Sequence, residues 1–193
     1  MPSDPYFFGY GSLVNRYTHD FTDPQPATLS GWARAWRHTD LRPVAFLTAV
    51  PSALTTIEGM IARVPDADWD ALDQREWAYD RIAASDSISH KQGSEIDIAV
   101  YAVPEARHQN PTNRHPILLS YVDVVIQGYL REFGRDGVDR FVSTTEGWDA
   151  PVLNDRANPR YPRHQPLTGS ETALVDDHLA ALAVQIVPDT DRE

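Results

Sequence analysis

Apolar and polar positions in the first half of the chain fall in short runs separated by turn residues. Tyr6 to Gly9 is a brief aromatic run that stops at glycine, the pattern of a buried strand feeding a tight loop. From Leu29 to His38, Trp32, Arg34, Trp36 and His38 fall on one side and Ala33, Ala35 and Arg37 on the other. That period of two predicts a strand, though its faces are not cleanly divided into apolar and polar. Phe46 to Val50 and Thr55 to Val64 read as two further strands joined through Pro51 and Ser52. Arg81 to Ile88 and Ile96 to Val103 read as a later pair around the polar turn His90 to Ser94.

One short helix is expected between these strands. Pro65-Asp66 is a start signal with Asp66 as N-cap, and Asp68 and Asp70 suit a positive N-terminus. Trp69, Leu72 and Glu76 then stand at i, i+3 and i+7, one helical face. The spacing that sends two apolar side chains inward sends the Glu76 carboxylate with them. The second half reads as helical. Pro116 suits a first turn, and Leu118, Tyr121, Val122, Val125, Tyr129 and Phe133 keep helical spacing until Gly134 stops it. Asp136 to Val142 predicts a short helix. Residues 158–166, rich in Pro and Arg, must be irregular. Thr168 to Glu171 reads as a capping box ahead of Leu174, Val175, Leu179 and Leu182, and Pro188 to Glu193 as a frayed end. Strands followed by helices give an α+β order.

Composition narrows the function classes. At 193 residues the chain fits one domain, and 41% hydrophobic against 23% charged residues reads as globular. With 17 Lys and Arg against 28 Asp and Glu, the net charge of −11 repels phosphate backbones and anionic membranes, so no nucleic-acid partner is expected. The absence of cysteine excludes disulfides, thiolate nucleophiles and thiolate metal sites. No positively charged leader and no membrane-length apolar run is read, which predicts a soluble cytoplasmic protein.

Several residues could bear chemistry. Gly9-Tyr10-Gly11-Ser12 lets the backbone turn sharply and aim N–H groups at one point, as for a carboxylate or oxyanion, or else it is a ligandless turn. It is neither a phosphate loop nor a dinucleotide fingerprint. Glu76 is either a helix-end carboxylate paired with Arg75 or Arg81, or a group buried near Trp77 and Tyr79 with a pKa raised toward proton-transfer use. The seven histidines show no i, i+4 pair and no metal-ligand spacing, so no metal is expected. Ser12 lacks the surroundings of a nucleophile elbow. Arg156, Arg160 and Arg163 either receive an anionic substrate end or make surface ion pairs.

Three stretches in order carry a resemblance. Phe7-Phe8-Gly9-Tyr10-Gly11-Ser12-Leu13, then Glu58 to Val64 with Leu72-Asp73-Gln74-Arg75-Glu76 and Tyr79-Asp80-Arg81, then Pro116 to Tyr121 with Gly128 seven residues later, resemble the γ-glutamylcyclotransferase-like family. The match covers about the first 130 residues. Trp77 stands where many relatives have glycine, a departure that bears on the pocket mouth.

The resemblance implies a small mixed β-barrel with flanking helices, here with a helical C-terminal extension from about residue 131. It implies an enzyme that needs no cofactor and takes a small-molecule γ-glutamyl substrate, as a monomer or homodimer. The substrate's own α-amine attacks its γ-carbonyl, closing 5-oxoproline and expelling the attached amine, amino acid or peptide; both reacting groups lie in one molecule, so folding it brings them together. By the same resemblance Glu76 is the catalytic proton carrier, Tyr10, Gly11, Ser12 and Leu13 cradle the substrate, and Tyr79 and Tyr121 border it. A binding module that kept the fold without turnover, or an enzyme acting on another γ-glutamylated compound, are the alternatives. Retention of Glu76 speaks against the first.

Overall fold

The computed structural model describes residues 5–91 and 96–189. Its centre is a seven-stranded mixed sheet curled into a half barrel, with the order β4-β6-β1-β3-β2-β5 and β8 added beside β2. The strands are β1 (Tyr6–Gly9), β2 (Gln25–Arg37), β3 (Phe46–Arg63), β4 (Asp80–Ala83), β5 (Ile88–His90), β6 (Ile98–Ala102) and β8 (Thr145–Glu146). Strand β1 lies between β3, antiparallel to it, and β6, parallel to it. Both neighbours therefore cover the aromatic run, which explains why Tyr6, Phe7 and Phe8 are all buried.

Two corrections concern these strands. The expected pair at 46–50 and 55–64 is one strand, β3, whose ladder with β2 runs from Arg37↔Phe46 to Gln25↔Ile61. Partner pairing jumps from Trp32↔Pro51 to Ser30↔Thr56, so residues 52–55 swing out opposite Gly31. Pro51, which has no N–H to give to a ladder, stands at the irregularity where its cost is least. The expected strand from Arg81 to Ile88 is two: β4 pairs with β6, whereas β5 crosses to β2. The turn expected at His90 to Ser94 lies partly outside the described residues, as does most of the tail from Pro188.

Helix α1 (Trp69–Arg75) is capped by Asp68, whose side chain accepts from Ala71 N at 3.0 Å, and not by Asp66. Pro65 opens a single 3₁₀ turn in which Asp66 and Ala67 take positive φ (53° and 55°), so a regular helix can begin only beyond them. Helix α2 (Leu119–Ser143) starts after the short strand β7 (Ile117–Leu118), which leaves Pro116 outside it. Gly134, at φ 71°, breaks α2 at the point where the apolar spacing stops. The capping box of α3 (Gly169–Ala181) forms as expected, with Thr168 and Glu171 bonding reciprocally. A second sheet, β7-β9-β10, built with β9 (Val152–Asn154) and β10 (Ile186–Pro188), has no counterpart in the sequence reading. The main hydrophobic cluster joins β1, β2, β3 and β6 to α2 and α3, so residues beyond 130 share it.

Candidate functional site

The loop after β1 is shaped from behind. Ser12–Val14 form a 3₁₀ turn closed by Val14 N–H donating to Gly11 O, and Thr18 Oγ1 donates to Ser12 O at 2.8 Å. Asn15, 1% exposed, donates to Val124 O and Gln127 Oε1 on α2. A Cβ at Gly128 would lie 2.6 Å from Asn15 N, so the glycine lets α2 approach the loop. The Tyr10 carbonyl accepts from Arg34 Nε (3.3 Å) and Tyr129 Oη (3.0 Å).

In front of this loop lies a cavity of about 310 Å³. Tyr10, Gly11, Ser12, Leu13, Glu76, Tyr79 and Tyr121 all line it. The tertiary structure therefore gathers these seven candidate site residues into one hollow. Their roles differ in detail. Tyr10 Oη donates to Tyr101 O (2.7 Å) and accepts from Ala49 N (2.9 Å), tying β6 to β3. Tyr79 Oη donates to Leu47 O at 3.2 Å. Tyr121 alone of the three has no acceptor for its hydroxyl among the described residues. Its oxygen presses on Gly11, where a Cβ would lie 2.4 Å away. Burial pushes all three phenols upward, foremost by desolvation, so each stays protonated at neutral pH.

Glu76 is not on the helix face that the spacing implied. Helix α1 ends at Arg75, and Glu76 is its C-cap, with its N–H donating to Leu72 O at 2.9 Å. The turn still directs the carboxylate inward, and its side chain is 29% exposed. Desolvation raises its pKa, while Arg75, then Arg163 and Arg42, act in the opposite direction. Arg75 Nε lies 3.6 Å from Glu76 Oε1, whereas Arg81 pairs with Asp73.

Of the cations at the cavity, the sequence reading names Arg75 and Arg163 and misses Arg42. Arg42, Arg75 and Arg163 line the cavity, and Glu76 is the one carboxylate among its walls in the described residues. Arg42 lies over the rings of Phe46 (5.5 Å) and Trp77 (5.1 Å). Trp77 is 49% exposed and is not itself a wall residue; it bears on the mouth through Arg42. His19 also lines the cavity, with a pKa lowered mainly by desolvation. Of the three arginines in the irregular segment, Arg163 reaches the cavity; Arg156 binds Asp123 and Asp176, and Arg160 binds Asp189. Among the described residues no three His, Asp or Glu side chains cluster as metal ligands, and no helix is long and apolar enough to cross a membrane.

The model of the family described as gamma-glutamyl cyclotransferase, AIG2-like, matches residues 7–120. The match covers more than half of the chain, and the chain belongs to that family. Among solved structures, a gamma-glutamyl cyclotransferase is similar over 91% of this chain and 99% of its own, at 13% identity and TM-score 0.58. An uncharacterized protein from Homo sapiens is similar over 90% and 98%, at 12% identity and TM-score 0.58. YkqA from Bacillus subtilis is similar over 75% of this chain, at 18% identity and TM-score 0.56, and the chain spans 56% of that protein. At these identities the likeness is one of fold. No curated protein matches the chain.

Proposed function

We propose that the protein is a cytoplasmic γ-glutamyl cyclotransferase, releasing 5-oxoproline from a γ-glutamyl compound without a cofactor. The observation that supports this best is the position of Glu76: the one carboxylate of the cavity, with a raised pKa, facing the loop of Tyr10 to Leu13 and the phenols of Tyr79 and Tyr121.

In this reading the loop and its backbone N–H groups hold the glutamyl moiety bent, so that its α-amine lies against its γ-carbonyl. Glu76 takes a proton from the ammonium, which frees the nitrogen lone pair to attack the γ-carbon. A carboxylate with a raised pKa is a better base for this step than an ordinary one. The tetrahedral oxyanion is met by the Tyr121 hydroxyl, which lies beside Gly11, and by the Ser12 N–H of the loop. Glu76 then delivers the proton to the departing nitrogen as the amide C–N bond breaks. The second proton shed by the attacking nitrogen follows by the same carboxylate, which leaves the lactam N–H and a released ammonium. Tyr10 and Tyr79, whose hydroxyls are bonded to backbone groups, shape the walls with their rings. Ser12 binds and does not attack.

Incubation with a panel of γ-glutamyl amines, amino acids and peptides, read by mass spectrometry for 5-oxoproline, tests the proposal. Glu76→Gln is expected to lose turnover by about 10²- to 10⁴-fold while still binding 5-oxoproline. Absence of product from every compound would sink the reading. Binding without turnover would leave a γ-glutamyl-binding module.

A further inference from the structure

The family match ends at residue 120, but the cavity wall continues. Tyr161 and Arg163 reach it from the irregular segment that follows β9. That segment is fastened, not loose. Asp155, 1% exposed, accepts from Ser120 N (2.8 Å) and Ser120 Oγ on α2, and from Arg160 N (2.8 Å). Ser120 Oγ in turn accepts from Tyr161 N at 3.3 Å, and the Tyr161 ring stands edge-on to Tyr121 at 4.9 Å. A buried carboxylate with three donors fixes where the following residues go.

The arginines of this segment are used differently. Arg156 and Arg160 are bound to carboxylates, as described above. Arg163 donates to Tyr161 Oη at 3.0 Å and has no carboxylate partner among the described residues. Its charge acts on Arg75, which lines the same cavity. Three guanidinium groups thus face one carboxylate in the cavity of a chain whose net charge is −11. Unbalanced like charges at a cavity mouth favour an anion.

We propose that Arg163, placed by the Asp155–Ser120 clamp and assisted by Arg75, is a specificity residue that holds a carboxylate on the part of the substrate that leaves. This rests on the cyclotransferase reading. A γ-glutamyl group brings one ammonium for Glu76 and one α-carboxylate for the loop, which leaves cationic capacity at the rim. Arg163 both lines the cavity and is exposed, so a departing portion that projects out of the cavity can meet it. The substrate class is therefore γ-glutamyl amino acids or peptides, in preference to γ-glutamyl derivatives of uncharged amines.

The test compares γ-glutamyl-alanine with γ-glutamyl-ethylamine, which differ by that carboxylate alone. Affinities are measured by calorimetry in Glu76→Gln, so that neither compound is consumed. The alanine compound is expected to bind about fivefold to tenfold tighter, a modest factor because the rim is solvated. Adding Arg163→Gln is expected to abolish the preference by weakening the alanine compound alone, and Asp155→Asn to reduce it. Equal affinities in the starting protein, a preference that survives Arg163→Gln, or no binding of either compound would overturn the inference. So would equal weakening of both compounds, since Arg163 would then hold the glutamyl carboxylate they share. Failure of the cyclotransferase reading looks different: the unmutated protein binds with the stated preference yet forms no 5-oxoproline.

Discussion

Two sets of arginines flank the loop of Tyr10 to Leu13 and are handled in opposite ways. Behind it, Arg34 is 1% exposed, and its guanidinium donates to Tyr10 O, Glu58 O, Thr144 Oγ1 and Tyr129 Oη. It also lies 5.0 Å from the ring centroids of both Tyr129 and Phe141. The Tyr129 phenol is pushed up to about 12 by burial, with Arg34 working against that shift. In front of the loop, Arg75 and Arg163 stand near one another at a solvated rim. A buried cation is tolerated only when its donors are taken up, so Arg34 serves the fold. Rim cations cost little; Arg75 is shared with Glu76, while Arg163, with no carboxylate partner among the described residues, remains available to a ligand.

That contrast can be broken by mutation. The largest stability effect is expected at Arg34. Arg34→Ala removes the donors behind Tyr10 and opens a cavity between two aromatic rings, at a cost of about 3 kcal/mol or a fall of roughly 6–12 °C in Tm. A variant that melts like the parent would show that the loop is held without it. Asp155→Ala ranks next, because it strands the Ser120 and Arg160 donors. Denaturant unfolding is expected to lose about 1–3 kcal/mol.

Rim substitutions are expected to act on titration more than on stability. Arg75 is foremost among the groups that hold the Glu76 pKa down. Arg75→Gln should therefore move the carbon-13 titration of the Glu76 carboxylate, and the acid limb of kcat/KM, to higher pH while Tm changes little. A titration that stays in place would mean that Arg75 is too well screened to matter. The smallest effect concerns Glu76 itself. Its folded-state pKa is raised, so folding favours the protonated form, and ionisation costs stability as pH rises through that pKa. Glu76→Gln is expected to be slightly more stable than the parent at neutral pH. The gain should vanish below the unfolded carboxylate range, where Glu76 is protonated in both states. Lower stability at neutral pH would instead make Glu76 a structural carboxylate.

What could be read along the chain was whatever depends on near neighbours. The aromatic run ending at Gly9, the helix stop at Gly134 and the Thr168–Glu171 box each rest on residues within a few positions, and each formed. Asp68 displaced Asp66 as cap because positive φ at two successive residues delayed the helix, a local event that composition does not reveal. The long β3 and the sheet β7-β9-β10 depend on partners far away in the chain, which periodicity cannot see.

The candidate site divides along the same line. Its motif residues, Tyr10 to Leu13, Glu76, Tyr79 and Tyr121, could be named from the family resemblance that three short stretches carry. The sequence could not separate Arg163 from Arg156 and Arg160, three similar residues in one irregular segment. Only folding decides that two of them meet carboxylates from α2, from α3 and from Asp189 just after β10, while the third faces a cavity. Asp155 likewise acts on Ser120, 35 positions earlier. By itself the sequence determined the loop, the carboxylate and the local stops and caps, because backbone preference and side-chain chemistry are local. Tertiary structure decided which charges are neutralised and which stay available, because a charge's partner is set by distance in space.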